Sequence, residues 1–133
     1  MHRRVLMLFV AATLACIDLA DKVATHADYH HARSSFTVFV TTVVVIGLLV
    51  FVPRLPSRTA LSGAAVAAGG ALGNMISAIA WAHGVPDPLL VGGPARGIAF
   101  NLADVFVVVG DAVMLGAVLV YALHNRTQLR MNV

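Results

Sequence analysis

The sequence has no glutamate and a single cysteine, and charged residues make up 11% of its 133 positions against 59% hydrophobic. A water-soluble domain typically devotes about a quarter of its residues to charge, so this chain could not cover a solvated surface. A mean hydropathy of +0.88 points the same way, to a polytopic membrane protein. Cys16, alone, excludes an internal disulfide. The net charge of +3 does not indicate nucleic acid as a partner, because the basic residues sit at chain ends and in short loops. No repeat or linker divides the chain, so one domain over residues 1–133 is expected.

Long apolar runs are what the chain has in quantity. Four can be drawn, at about residues 5–21, 36–52, 60–82 and 98–123. Each approaches or exceeds the ~20 residues that cross hydrocarbon as a helix. β-Branched stretches such as "TVFVTTVVVIGLLVFV" lack the alternation of a barrel, and an open sheet edge cannot lie in lipid. The expected fold is therefore all-α, a four-helix transmembrane bundle. Arg3, Arg4, Arg54, Arg58, Arg126 and Arg130 flank one side of the spans, while Lys22, Arg33 and Arg96 flank the other. The positive-inside rule then puts both termini in the cytoplasm. The start "MHRRVLMLFVAATLAC" is like a lipoprotein signal peptide, but Thr13 stands three residues before Cys16 and three further spans follow. A buried structural thiol is the expectation for Cys16.

Polar residues inside the spans carry the functional signal, since a carboxylate at a helix centre costs roughly 2.5–3.5 kcal/mol on insertion scales. Asp18 and Lys22, four apart with the acid first, form a favourable helical pair at the outer end of span one. Asn74 and Ser77 share a face of span three, and Asn101 and Asp104 a face of span four. Three helices thus bring polar groups to one depth, and Asn74, Ser77, Asn101 and Asp104 are expected to line one cavity, Ser77 facing Asp104. Interhelical hydrogen bonding is the plainer reading for Asn74 and Asn101. Asp111 lies on the face of Asp104 but ~10 Å deeper at 1.5 Å per residue. Gly63, Ala67, Gly70 and Asn74 form a small-residue stripe, and Gly69 with Gly73 a GxxxG, which suit close packing within the chain. His26, His30 and His31 read as interfacial loop histidines and no metal site is expected, the alternative being that His26 and His30 share a helical face and bind a metal.

The motifs "GGALGN" (69–74), "FNLAD" (100–104) and "DLADK" (18–22) together resemble those of the lipoprotein signal peptidases, signal peptidase II. The resemblance covers most of the chain in span order, length and topology. It implies a four-helix membrane aspartic peptidase without cofactor, at the outer face of the bacterial cytoplasmic (inner) membrane. Such enzymes cut a prolipoprotein signal peptide before its diacylglyceryl-modified cysteine. By resemblance Asp104 is one of the two catalytic aspartates. Asp18, Lys22, Gly73, Asn74, Asn101 and Ala103 occupy motif positions, and Asp87 in "GVPDP" aligns with a further acid between spans three and four.

Two departures stand out. The family pattern Gly-Asn-x-x-Asp-Arg reads "GNMISA" here, so the resemblance places Ser77 where the other catalytic aspartate is expected. A hydroxyl cannot hold the negative charge of a base, and an aspartic dyad needs two carboxylates sharing one proton. The first outer loop is also only "VATHADYHHARSS", too short to show the family's β platform and its substrate motif. On the sequence alone the chain reads as a non-catalytic or severely impaired relative. Its former active-site cavity would bind membrane lipid, a lipoprotein signal helix or another membrane protein. The alternative is an active endopeptidase in which Asp104 works with a substitute acid, Asp18 or Asp87. A weaker alternative is a small membrane transport or assembly subunit.

Overall fold

A computed structural model describes residues 2–93 and 96–126. Its main elements are four helices: α1 (His2–Ala24), α2 (Ser35–Phe51), α3 (Arg58–Ala80) and α4 (Leu102–His124). Side chains set where three of them begin. Ser34 accepts from the Thr37 amide at 3.1 Å, Ser57 accepts from the Ala60 amide at 3.1 Å, and Asn101 and Asp104 form a capping box on α4. Pro53 falls in a short 3-10 turn, Val52–Arg54, that ends α2.

α3 is the hub. It packs against α1, α2 and α4, and its buried residues are mostly alanine and glycine. Gly110 of α4 shows why: a Cβ there would collide with the backbone of Ala67 and Gly63. The helices meet backbone to backbone, as small residues allow in membrane bundles. A compact cluster of Met7, Val52, Leu61, Ala64 and Ala65 closes one end. At that end Arg3 donates to the carbonyls of Leu55 (2.7 Å) and Ser57 (3.0 Å), tying the start of α1 to the start of α3.

Large apolar side chains point outward instead. Phe9, Phe36, Phe39, Val108 and Val120 are all exposed, the pattern of a surface facing lipid. Among the described residues three helical stretches are long and apolar enough to cross a membrane: Ser35–Arg54, Arg58–Ala80 and Leu102–His124. α1 carries Arg3 and Arg4 at one end and Asp18, Asp21 and Lys22 at the other. Arg130, counted above for orientation, lies outside the described residues.

Two expectations need correction. Cys16 is exposed, not buried, because α1 packs through Met7, Ala11, Ala15, Asp18 and Lys22, and position 16 lies off that stripe. The first loop is not featureless: it forms β1 (Tyr29–His31), antiparallel to β2 (Val85–Asp87), with His30 opposite Pro86. A second pair joins β3 (Leu89–Val91) to β4 (Ile98–Phe100), the strand that leads into α4. Both ladders sit at the end of the helices where Lys22, Ser77 and Asn101 meet.

Candidate functional site

The first cluster forms around a buried ammonium. Lys22 Nζ donates to Asp18 Oδ2 at 2.7 Å, Asn74 Oδ1 at 2.9 Å and Ser77 Oγ at 3.1 Å, so all three of its protons have acceptors. Asp18 Oδ1 accepts from the Ala103 amide at 2.8 Å, in the first turn of α4. There a carboxylate satisfies an orphan amide and favourably meets the positive end of the helix dipole. Room for it comes from Gly73, where a Cβ would sit 2.5 Å from Asp18 Oδ2. Asp18 is fully buried with both oxygens committed, a joint between α1, α3 and α4.

The second cluster lies around Asn101. Asn74 turns its amide nitrogen away from the lysine and donates to Asp104 Oδ1 at 2.8 Å. Asp104 Oδ2 accepts from the Asn101 backbone amide at 3.2 Å, and Asn101 Oδ1 accepts from the Asp104 amide at 3.1 Å. The Asn101 side-chain nitrogen points the other way, to Asp87 Oδ1 at 2.7 Å and the Pro86 carbonyl at 3.3 Å. One fully buried asparagine therefore holds two carboxylates, Asp87 on β2 and Asp104 on α4. His31 Nδ1 lies 2.5 Å from Asp87 Oδ2, and Arg33 Nη2 lies 3.6 Å from Asp104 Oδ1.

Asp104 is the accessible member, with 33% of its side chain exposed, whereas Asp87 is buried. Asp104, Asn74 and Arg33 form the polar end of a cleft of about 280 Å³ between α2, α3 and α4. The rest of its wall includes Val40, Val44, Ala71, Val107 and Val108. A polar head on an apolar trough suits a segment that is itself apolar and carries a polar link at one end.

Of the four residues expected to line one cavity, Asn74 and Asp104 do, while Ser77 and Asn101 are fully buried behind it. Ser77 bonds Lys22 and donates to the Gly73 carbonyl at 2.8 Å, and it is Asn74 that reaches Asp104 from α3. Sequence reasoning passed over Arg33, counted only for orientation, and His31, read as an interfacial histidine. Neither lies in a periodic segment, and only the β1–β2 pairing brings His31 to Asp87.

Asn101→Ala tests the joint directly. It removes the α4 cap, worth about 0.5–2 kcal/mol, and leaves the buried Asp87 short of a donor, a further ~1–3 kcal/mol. Thermal unfolding in detergent will show a clear loss of stability, larger than a cap alone gives.

Comparison with known proteins places the chain in a family. The family model for signal peptidase (SPase) II matches residues 22–120, a stretch that includes Asn74, Ser77, Asp87, Asn101 and Asp104. The chain is 40% identical over 111 residues to a lipoprotein signal peptidase of Mesorhizobium japonicum, covering 74% of this chain and 66% of that protein. The chain thus spans just under two thirds of that relative's length. It belongs to the lipoprotein signal peptidase, or signal peptidase II, family.

Proposed function

We propose that the chain is a membrane aspartic endopeptidase that cleaves prolipoprotein signal peptides, with Asp87 and Asp104 as its pair of acids. The observation that carries the reading is the joint hold of Asn101 on both carboxylates, of which Asp104 lines the polar end of an apolar cleft and Asp87 lies buried behind it. Asp18, the other candidate partner, is enclosed, and both its oxygens are engaged by Lys22 and the Ala103 amide. An acid at position 77 would meet Lys22 before it met Asp104. The serine there is therefore compatible with activity.

The chemistry follows from two carboxylates sharing one proton. The ionised acid takes a proton from water as the water oxygen bonds to the scissile carbonyl carbon. The protonated acid gives its proton to the carbonyl oxygen, forming a gem-diol. Collapse breaks the C–N bond: the leaving amine takes the proton that came from water, and one gem-diol hydroxyl re-forms the C=O by returning its proton to the other acid, which restores the starting pair. The signal helix would lie in the valine-lined cleft, its cleavage point beside Asp104. Four spans, with both termini and the 53–59 loop cytoplasmic, would put that point at the outer face of a bacterial inner membrane.

One observation favours a second reading, in which the cleft binds a lipid, signal helix or membrane partner without cutting. Arg33 already pairs with Asp104, the acid a substrate would meet. The two separate in one assay. Wild-type protein in vesicles with a diacylglyceryl-modified prolipoprotein is expected to release the signal peptide, seen by mass spectrometry, and Asp104→Asn to release none. Intact substrate with wild-type protein supports the binding reading.

A further inference from the structure

The buried acid of the proposed pair has a partner of its own. His31 Nδ1 and Asp87 Oδ2 are 2.5 Å apart, the span of a short charge-assisted hydrogen bond. Asp87 Oδ1 is already an acceptor for Asn101, so the proton in the His31 contact has two places to reside: Nδ1 or Oδ2. The His31 side chain remains 37% exposed. The ring thus connects a buried carboxylate to the solvated edge of the protein.

We propose that His31 is the positioning and proton-holding partner of Asp87, keeping one proton in the imidazole–carboxylate pair for Asp87 to give up or take back. The inference rests on the peptidase reading above. Asp87 is buried and lies one residue behind the accessible acid, so water cannot readily resupply its proton. A histidine is the side chain best suited to exchange one near neutral pH. In the hydrolysis cycle the pair's single proton passes through Asp87 to the substrate carbonyl oxygen, leaving both partners unprotonated; when the gem-diol collapses, the proton its hydroxyl loses returns to Asp87, where His31 Nδ1 shares it again. No net proton is gained or lost over a turnover.

The surroundings leave His31 few rivals. Among the described residues Asp87 is the carboxylate in contact with its ring. Asp104 lies beyond Asn101 and is itself paired with Arg33. On β1, His30 faces a different hollow, lined also by Lys22, His26 and Trp81, and His26 pairs with Asp28 at the exposed surface. The register holds the arrangement: His31 sits opposite Val85, and Tyr29 opposite Asp87.

His31→Asn is the sharpest test, because its amide can keep a donor near the Nδ1 position yet cannot hold a transferable proton. General acid–base help is worth about 10²–10⁴-fold, so kcat is expected to fall about 10²-fold with KM nearly unchanged. The pH profile of kcat should lose the limb due to the imidazole. Wild-type kcat and pH profile in His31→Asn would overturn the proposal and show a merely structural hydrogen bond. Should that variant fail to fold, proton NMR of the wild-type protein in nanodiscs decides. A downfield imidazole N–H resonance that disappears in Asp87→Asn is expected, and its absence from wild type overturns the pairing. An inactive wild type, by contrast, defeats the peptidase reading, while the resonance still reports on the pair.

Discussion

Lys22→Met will destabilise the protein by about 3–5 kcal/mol, the cost of breaking a buried ion pair by removing one partner. Lys22 is the chain's single lysine, buried, and hydrogen-bonded to Asp18, Asn74 and Ser77. Without it the Asp18 carboxylate keeps the Ala103 amide but loses its counter-charge in a site closed to water. Methionine fills much of the volume, so the loss reports charge and hydrogen bonding more than a cavity. The control is Asp18→Asn added to Lys22→Met. Removing the orphaned charge should recover part of the stability, because pairs are costly mainly when half broken. Chemical denaturation in micelles measures both. A Lys22→Met protein as stable as wild type would contradict the role of this joint.

The same joint shows what the sequence disclosed and what it withheld. Helices were legible because each is a long apolar run with a polar start. The runs at 36–52 and 60–82 correspond to Ser35–Phe51 and Arg58–Ala80, displaced by one or two residues. The i,i+4 spacing of Asp18 and Lys22 announced their pair. The i,i+3 spacing of Asn74 and Ser77 correctly put them on one face, since both bond the same ammonium. Which helix that face would meet was beyond spacing. A helix face looks onto two neighbours at once: Ser77 turned toward α1, and Asn74 bridged α1 and α4.

The strands were hidden for a different reason. Each is three residues long, below the length at which alternation can be read, and β1 finds its partner more than fifty residues away. Their pairing places Asp87, His31 and Asn101 together, so the candidate site was only half visible. Asp104 and Asn101 stood out as polar residues in an apolar span. Asp87, in a loop rich in proline and glycine, carried no such contrast, and only the family resemblance offered it, as a substitute acid. On the proposed reading, an acid at position 77 would meet Lys22 rather than work with Asp104. A carboxylate there would join Asp18 on the same ammonium.

On the proposed peptidase reading, the larger effect on activity is expected from Asp87. Asp87→Asn keeps the shape of the side chain and lets Asn101 and His31 retain hydrogen bonds, so folding should survive. What it removes is the second ionisable group, and with it the shared proton on which an aspartic pair depends. Loss of a positioned acid or base lowers rates by about 10²–10⁴-fold, and a drop in that range is expected for Asp87→Asn. Ser77→Asp in an otherwise wild-type chain should bring no gain, since its carboxylate would be held by Lys22. The most direct measurement is therefore the rate of signal-peptide release from a diacylglyceryl-modified prolipoprotein in vesicles, compared among wild type, Asp87→Asn and Ser77→Asp. Asp87 as a working acid predicts cleavage by wild type, at least a hundredfold loss in Asp87→Asn and no increase in Ser77→Asp. Wild-type cleavage undiminished in Asp87→Asn, or activity that appears only in Ser77→Asp, would contradict it.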